Sequence, residues 1–168
     1  MSSPTSAIPT GITIRHDIRP GDIGSIVHLH GMIYARDHGF DATFEAYVAE
    51  PLARFVRSPS ARDRLWIAER DDRIVGCIAI VAVSETEAQL RWYLVVPEER
   101  GVGLGKYLVG DAIAFCRQCR YESVFLWTVS TLETAAHLYR AFGFRKVEAN
   151  PERLWGVDVV EEKYILDL

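Results

Sequence analysis

The sequence has few cysteines, no surplus of positive charge and no apolar segment long enough to cross a bilayer. Three cysteines among 168 residues cannot build the disulfide framework of a small secreted protein. The net charge of −4 offers no basic surface for a phosphate backbone, so nucleic acid is not an expected partner. The longest apolar run, Val75–Val83, is far shorter than the roughly 20 residues of a membrane-spanning helix.

The start of the chain also lacks the basic residues and apolar stretch of a signal peptide. Residues 1–11 are small and polar with two prolines, and we expect a flexible tail there. The composition of 49% hydrophobic and 25% charged residues is typical of a globular protein, and residues 12–168 have the length of one domain. The sequence therefore predicts a cytoplasmic protein with no membrane partner.

Metal and redox chemistry have little support in the sequence. Cys116-x-x-Cys119 has the spacing of a redox pair or of half a zinc site. The pair lies at the C-terminal end of a predicted helix, where the helix dipole does not lower a thiol pKa, and no second cysteine pair could complete four ligands. His28 and His30 are two residues apart on a helix and face different sides. We expect packing roles for these groups and no metal.

Apolar periodicity and turn residues divide the chain into alternating strands and helices. Helices are predicted at Ile23–His38 with Asp22 as N-cap, at Thr43–Val56 with a kink or new turn at Pro51, at Gly103–Cys119 and at Leu132–Phe142. Strands are predicted at Ile12–His16, Leu65–Glu69, Ile74–Val83, Gln89–Val96, Ser123–Val129, Phe144–Glu148 and Val157–Leu166. This order predicts an α/β (α+β) fold in which helices cover both faces of a mixed sheet.

The segment from Val95 to Lys106 is typical of a phosphate-binding turn. Glycines at 101, 103 and 105 remove side chains between a strand and a helix start, so backbone N–H groups can close on an anion. Arg100 and Lys106 add positive charge at the two ends. A Walker-type loop is excluded because Tyr107 follows Lys106, and the G-x-G-x-x-G fingerprint lacks its third glycine. The pattern predicts a pyrophosphate cradle, with an ordinary glycine-rich turn as the alternative.

Two segments resemble a known family, the GCN5-related N-acetyltransferases. Arg100-x-x-Gly103-x-Gly105 is similar to that family's Arg/Gln-x-x-Gly-x-Gly/Ala signature, and Ala135–Phe144 resembles its Ala-x-x-Leu-Tyr-x-x-x-Gly-Phe element. The resemblance covers nearly all of Ile12–Leu168, and His28–Phe55 is similar to the acetyltransferase half of fusions with MarR-type regulators. It implies a mostly antiparallel sheet of six to seven strands with four helices on both faces, splayed at an acetyl-CoA cleft. It also allows a homodimer.

The resemblance implies acetyl-CoA as cosubstrate and a primary amine of a small molecule as acceptor. It assigns Tyr139 to protonating the departing thiolate, although a tyrosine on this stripe is also a candidate core residue. It assigns the amides of Leu94 and Val95 to holding pantetheine and polarising the thioester carbonyl. Trp92 and Trp127 are expected to line the pocket. The residues assigned to the pyrophosphate are Arg100, Gly101, Val102, Gly103, Leu104, Gly105 and Lys106.

The sequence departs from the family pattern at two places. The strand before the turn lacks the glutamate that many members use as a base, so Glu45, Glu50, Glu87 and bulk water remain candidates. Leu132 stands where many members have an asparagine. The candidates for replacing that polar contact are Thr128, Ser130 and Thr131. Two other functions therefore stay open: a sensor module that binds acetyl-CoA without turnover, and an acetyltransferase of protein lysines or N-termini.

Overall fold

The computed structural model describes residues 6–168, so the part of the expected tail at residues 1–5 lies outside the described residues. The elements follow in the order that the sequence predicts. They are β1 (Thr13–Arg15), α1 (Asp22–His38), α2 (Ala42–Arg57), β2 (Arg64–Arg70), β3 (Arg73–Ala82), β4 (Glu87–Val95), a 3₁₀ turn (Pro97–Glu99), α3 (Leu104–Gln118), β5 (Ser123–Val129), α4 (Glu133–Ala141), β6 (Arg145–Leu154) and β7 (Val157–Asp167).

The strands form one mixed sheet of seven strands in the order β1-β2-β3-β4-β5-β7-β6. Neighbouring strands are antiparallel except β4 and β5, which are parallel. β4 and β5 pair only where residues 87–89 face residues 123–125. Beyond that point β4 and β5 no longer pair with each other, so the two strands separate and open a cleft at their C-terminal ends. The splayed, mostly antiparallel sheet expected from the sequence is confirmed.

Helices pack on both faces of the sheet, as β3 shows. A Cβ added at Gly76 would contact Leu104 and Leu108 of α3. The next residue, Cys77, lies close enough to Tyr34 of α1 to influence its pKa. Because successive residues of a strand point to opposite faces, α3 and α1 lie on opposite sides of the sheet.

The start of α1 differs from the prediction. Gly21, with φ of 95°, is the N-cap, and Asp22 is the first helical residue. The Asp22 carboxylate is buried and accepts two hydrogen bonds from Arg15, both at 2.8 Å. Arg15 also donates to Glu69 at 2.7 Å. The Arg15 guanidinium thus joins β1 to β2 and α1, and this tertiary ion pair takes the place of a local cap.

α2, predicted at Thr43–Val56, runs from Ala42 to Arg57 and includes Pro51; no new helix starts there, because its buried residues, Phe44, Val48 and Leu52, extend across the proline. One further boundary differs from the prediction. β6 continues to Leu154, well past the predicted end at Glu148, because it pairs with β7 along its whole length. Its residues are almost all exposed, so the strand carries no apolar alternation that a sequence pattern could detect.

Among residues 6–168, no helix is long and apolar enough to cross a membrane. The same residues contain no cluster of His, Cys, Asp or Glu suited to hold a metal ion. Cys116 is buried, and burial raises the pKa of its thiol to about 12.

Candidate active site

A cleft of about 1410 Å³ lies where β4 and β5 separate. Most of the site residues predicted from the sequence line it. They are Leu94, Val95, Arg100, Gly101, Gly103, Gly105, Lys106, Thr131 and Tyr139. Val102 and Leu104 do not: the Val102 side chain is 53% exposed, and Leu104 is fully buried in the core. Only the backbone amides of these two residues remain available to a ligand.

The loop before α3 presents a continuous row of free backbone donors. Among the described residues, Tyr107 has the first α3 amide that bonds to a backbone carbonyl. It donates to the carbonyl of Gly103, the N-cap, at 3.0 Å. The amides from Gly101 to Lys106 donate to no backbone carbonyl of residues 6–168. The N-terminal end of a helix adds the positive end of the helix dipole. This row of donors is suited to a diphosphate.

Two glycines give this loop its shape. Gly101 and Gly103 have φ of 80° and 95°, in the left-handed region that favours glycine. A Cβ added at either position would meet no atom within 4 Å, so the space in front of the loop is open. The Gly103 cap makes no side-chain hydrogen bond. The loop therefore fits a bulky anion that approaches the backbone closely.

β4 carries a bulge opposite β3, where the register shifts between Cys77 and Ala79. Trp92 has φ of 51° there, and its carbonyl accepts a hydrogen bond from the Cys77 thiol at 3.1 Å. Past the bulge, the Val96 amide donates to the Val75 carbonyl at 2.9 Å. Because successive amides of a strand point in opposite directions, the Val95 amide faces the cleft and the Leu94 amide faces β3. Of the two predicted donors, the geometry favours Val95.

Arg100 is held beside the end of β4. Its Nε donates to the Val95 carbonyl at 3.1 Å, and its guanidinium lies 3.9 Å from the Asp37 carboxylate. Half of the side chain remains exposed to the cleft. The guanidinium thus fixes the strand end and adds positive charge beside the free amides.

Tyr139 lies in α4 and is 5% exposed. Its ring contacts those of Tyr93, Phe144 and Tyr164, with centroid distances of 5.9, 5.8 and 6.3 Å. Its hydroxyl makes no hydrogen bond to residues 6–168, and burial raises its pKa well above 10.0. Tyr139 is therefore a neutral phenol at the cleft wall. Such a group can give a proton to a stronger base or donate a hydrogen bond to it.

Aromatic rings from α1, α2, the segment between them and the β6–β7 turn form the opposite wall. Phe44 is at their centre, with its ring centroid 4.7 Å from that of Tyr34, 5.1 Å from that of Phe40 and 4.9 Å from that of Trp155. Tyr47 completes this wall, 5.1 Å from Trp155. We call these five residues the aromatic wall. Trp92 and Trp127 also line the cleft, as the sequence predicts.

The three glutamates considered as bases from the sequence do not line the cleft. Glu45 packs against Gly31 of α1, Glu50 pairs with the exposed Arg54, and Glu87 lies where β4 and β5 still pair. Glu161 of β7, which the sequence reasoning missed, does line it. Burial raises the pKa of Glu161 above 4.5, and the nearby Glu152 and Glu148 raise it further. The only sequence signal for Glu161 is its position in an alternating strand, which marks a face of the sheet and not a site.

Two buried ring nitrogens at the cleft have no partner among the described residues, Nε2 of His30 and Nε1 of Trp92. The other nitrogen of His30, Nδ1, lies 2.8 Å from the Ile26 carbonyl, and burial lowers the His30 pKa to about 4. The ring is therefore neutral, with its Nδ1 proton donated to the carbonyl and a lone pair on Nε2.

Of the threonine and serine candidates, Thr128 and Thr131 line the cleft and Ser130 does not.

The sequence matches known acetyltransferases. Residues 29–144 match the acetyltransferase (GNAT) family. An uncharacterised N-acetyltransferase of Schizosaccharomyces pombe is 31% identical over 118 residues, which are 68% of this chain and 72% of that protein. Human N-acetyltransferase 8B is 32% identical over 95 residues, which are 54% of this chain and only 42% of that longer protein.

A solved structure has the same fold. Spermidine N-acetyltransferase from Vibrio cholerae, in complex with CoA and spermine, superimposes with a TM-score of 0.70 at 16% identity, covering 94% of this chain and 96% of that one. Identity this low shows likeness of fold alone. None of these three proteins is named as a regulator fusion, so the likeness of His28–Phe55 to such fusions has no support here.

Proposed function

Because the chain belongs to the acetyltransferase (GNAT) family and is an acetyl-CoA-dependent N-acetyltransferase, we propose that its acceptor is the primary amine of a small molecule. The observation that carries the proposal is the row of free amides from Gly101 to Lys106, at the mouth of a cleft that also contains Tyr139 and an aromatic wall. The small-amine complex of the Vibrio cholerae enzyme agrees with this choice.

In the proposed site, the free amides hold the pyrophosphate of acetyl-CoA, with Arg100 and Lys106 adding charge. The Val95 amide donates to the thioester carbonyl and stabilises the negative charge that grows on its oxygen during attack. Tyr139 protonates or hydrogen-bonds the sulfur as the carbon–sulfur bond breaks. Much of the rate comes from holding the two reactants in line.

Glu161 is the proposed acceptor of the amine proton, directly or through a water molecule. It is the glutamate of β7 that lines the cleft, and its neighbours Glu148 and Glu152 give that edge an acidic character that attracts an ammonium group. A carboxylate with a raised pKa is also a better base than an ordinary one, because basicity rises with pKa.

Calorimetric titration of acetyl-CoA tests the cofactor side of the proposal. Gly103→Glu places a side chain and a negative charge in the open space before the loop, and we expect it to abolish binding. Gly21→Glu is the matched control, because Gly21 is exposed, has the same φ of 95°, and an added Cβ there also meets nothing within 4 Å. Binding that survives Gly103→Glu would refute this placement of the pyrophosphate.

An acetylation screen tests the acceptor side. Transfer to small primary amines at rates that saturate with amine concentration is the expected result. Binding of acetyl-CoA without transfer to any amine would support the sensor function instead. Transfer only to protein lysines or N-termini would support a protein acetyltransferase.

A further inference from the structure

One half-buried cation of the cleft, Arg91, has no counter-ion among residues 6–168. Arg91 of β4 lines the cleft and is half-buried. Among residues 6–168 it forms no salt bridge, and its one polar side-chain neighbour is the neutral Tyr47 hydroxyl. A half-buried guanidinium has five donors to satisfy, and leaving them unpaired is costly. The arrangement is therefore unusual unless a ligand supplies the anion.

The surroundings of Arg91 fix its guanidinium without neutralising it. The guanidinium carbon lies 5.2 Å from the centre of the Trp92 ring and 5.9 Å from that of Tyr47. These contacts leave its charge in place. Burial lowers the Arg91 pKa, the hydroxyl of Tyr47 raises it and the nearby Arg54 lowers it, and no carboxylate of residues 6–168 is among the groups that shift it. Trp92, the next residue in the chain, lies at the bulge of β4, and its backbone is in the left-handed conformation.

A second donor nearby also lacks an acceptor. The Trp92 indole nitrogen is buried and has no partner among the described residues. The strand neighbours Arg91 and Trp92 therefore place a guanidinium without a counter-ion and an indole N–H without an acceptor beside α2, where they contact Tyr47 and Phe55. The pyrophosphate loop has its own cations, Arg100 and Lys106, so Arg91 is a separate positive site within one cleft.

We propose that the acceptor is an amino acid, or an amino-acid derivative with a free carboxylate, whose carboxylate binds the Arg91 guanidinium. Arginine binds carboxylates with two parallel hydrogen bonds, which fix the orientation of the bound group. The acceptor's amine then faces the thioester, and its apolar side chain packs against the aromatic wall. This inference rests on the proposed function and narrows its substrate class.

Kinetic comparison of paired acceptors tests the inference. Phenylalanine and its decarboxylated analogue phenethylamine differ in the carboxylate, as do alanine and ethylamine. For the wild type we expect kcat/KM to favour each amino acid by tenfold to a hundredfold, the range for a charge-assisted hydrogen bond in a partly buried site. Arg91→Met should remove this preference and leave the amines without a carboxylate little affected. Arg57→Met is the matched control, an exposed arginine of α2 that does not line the cleft.

Binding to the CoA complex gives a readout that does not depend on turnover. N-acetylphenylalanine should bind the wild-type complex more tightly than N-acetylphenethylamine, and Arg91→Met should remove the difference while acetyl-CoA affinity and the melting temperature stay unchanged. A wild type that treats the paired acceptors alike, or an Arg91→Met variant that keeps the preference, overturns the inference and leaves amine acetylation intact. Absence of all transfer would refute the proposed function, and the binding comparison would still decide the role of Arg91.

Discussion

Replacing Tyr139 with phenylalanine isolates one oxygen atom at the centre of the proposed chemistry. The ring of Tyr139 packs among those of Tyr93, Phe144 and Tyr164, and phenylalanine keeps those contacts. The hydroxyl makes no hydrogen bond to residues 6–168, so its removal breaks no contact of the folded chain. We expect the free energy of unfolding to change by less than about 0.5 kcal/mol.

The expected loss of rate is much larger. A positioned general acid contributes about a hundredfold to ten-thousandfold to a rate. At 1.36 kcal/mol per factor of ten, this corresponds to about 3–5 kcal/mol of transition-state stabilisation. Burial raises the pKa of Tyr139 well above 10.0, so the phenol keeps its proton at neutral pH. The wild-type rate should therefore show no loss of this acid at mildly alkaline pH.

Single-turnover kinetics at saturating amine provide the measurement, with release of the CoA thiol as the signal. The acceptor should have an ammonium pKa below the assay pH, so that removal of its proton does not limit the rate. Tyr107→Phe is the matched control, because Tyr107 lies on α3 outside the cleft. A Tyr139→Phe enzyme that turns over like the wild type would remove Tyr139 from the mechanism. An equal loss in Tyr107→Phe would point to a general effect on folding.

Two further predictions concern charged groups. Because protonated Glu161 cannot take a proton, kcat/KM should fall as pH drops through its raised pKa, above 4.5. Glu161→Gln should lower kcat/KM and remove that limb of the pH–rate profile, and an unchanged limb would exclude Glu161 as the base. Asp22→Asn should destabilise the fold by about 2 kcal/mol in urea unfolding, because it removes the charge of one of the two carboxylates that bind Arg15, in a pair whose side chains are 8% and 11% exposed. Arg15 lowers the folded pKa of Asp22 below 3.8, so this stabilisation is complete above that pH and is lost as pH falls through the folded value. An unfolding free energy within 1 kcal/mol of wild type, or no acid dependence, would contradict this account.

Local signals in the sequence were enough for the order of elements and for the backbone shape of the loop before α3. Gly101 and Gly103 adopt backbone conformations that glycine favours, and Tyr139 lies in α4, which is followed closely by Gly143, with φ of 94°. In each case the residue type and its immediate neighbours determine the local geometry. A phosphate-binding loop at a helix start is likewise a feature of consecutive residues.

The remaining differences come from contacts between segments distant in sequence. Asp22 has the residue type of an N-cap, but the buried Arg15 takes its carboxylate, so Gly21 caps α1 instead. Pro51 stays inside α2 because the buried face of that helix spans it. β6 extends because β7 pairs with it, although its own residues are exposed.

The residues proposed for the acceptor side of the site come from the tertiary structure alone. The sequence placed Glu161 and Arg91 on strands, but a strand pattern identifies a face of the sheet and does not say which groups on other elements lie opposite. The separation of β4 from β5 creates the cleft, and the packing of α1 and α2 closes its aromatic wall. A phosphate loop can be recognised from consecutive residues because its donors are backbone amides, whereas an acceptor pocket is built from side chains of several elements and exists only once they pack together.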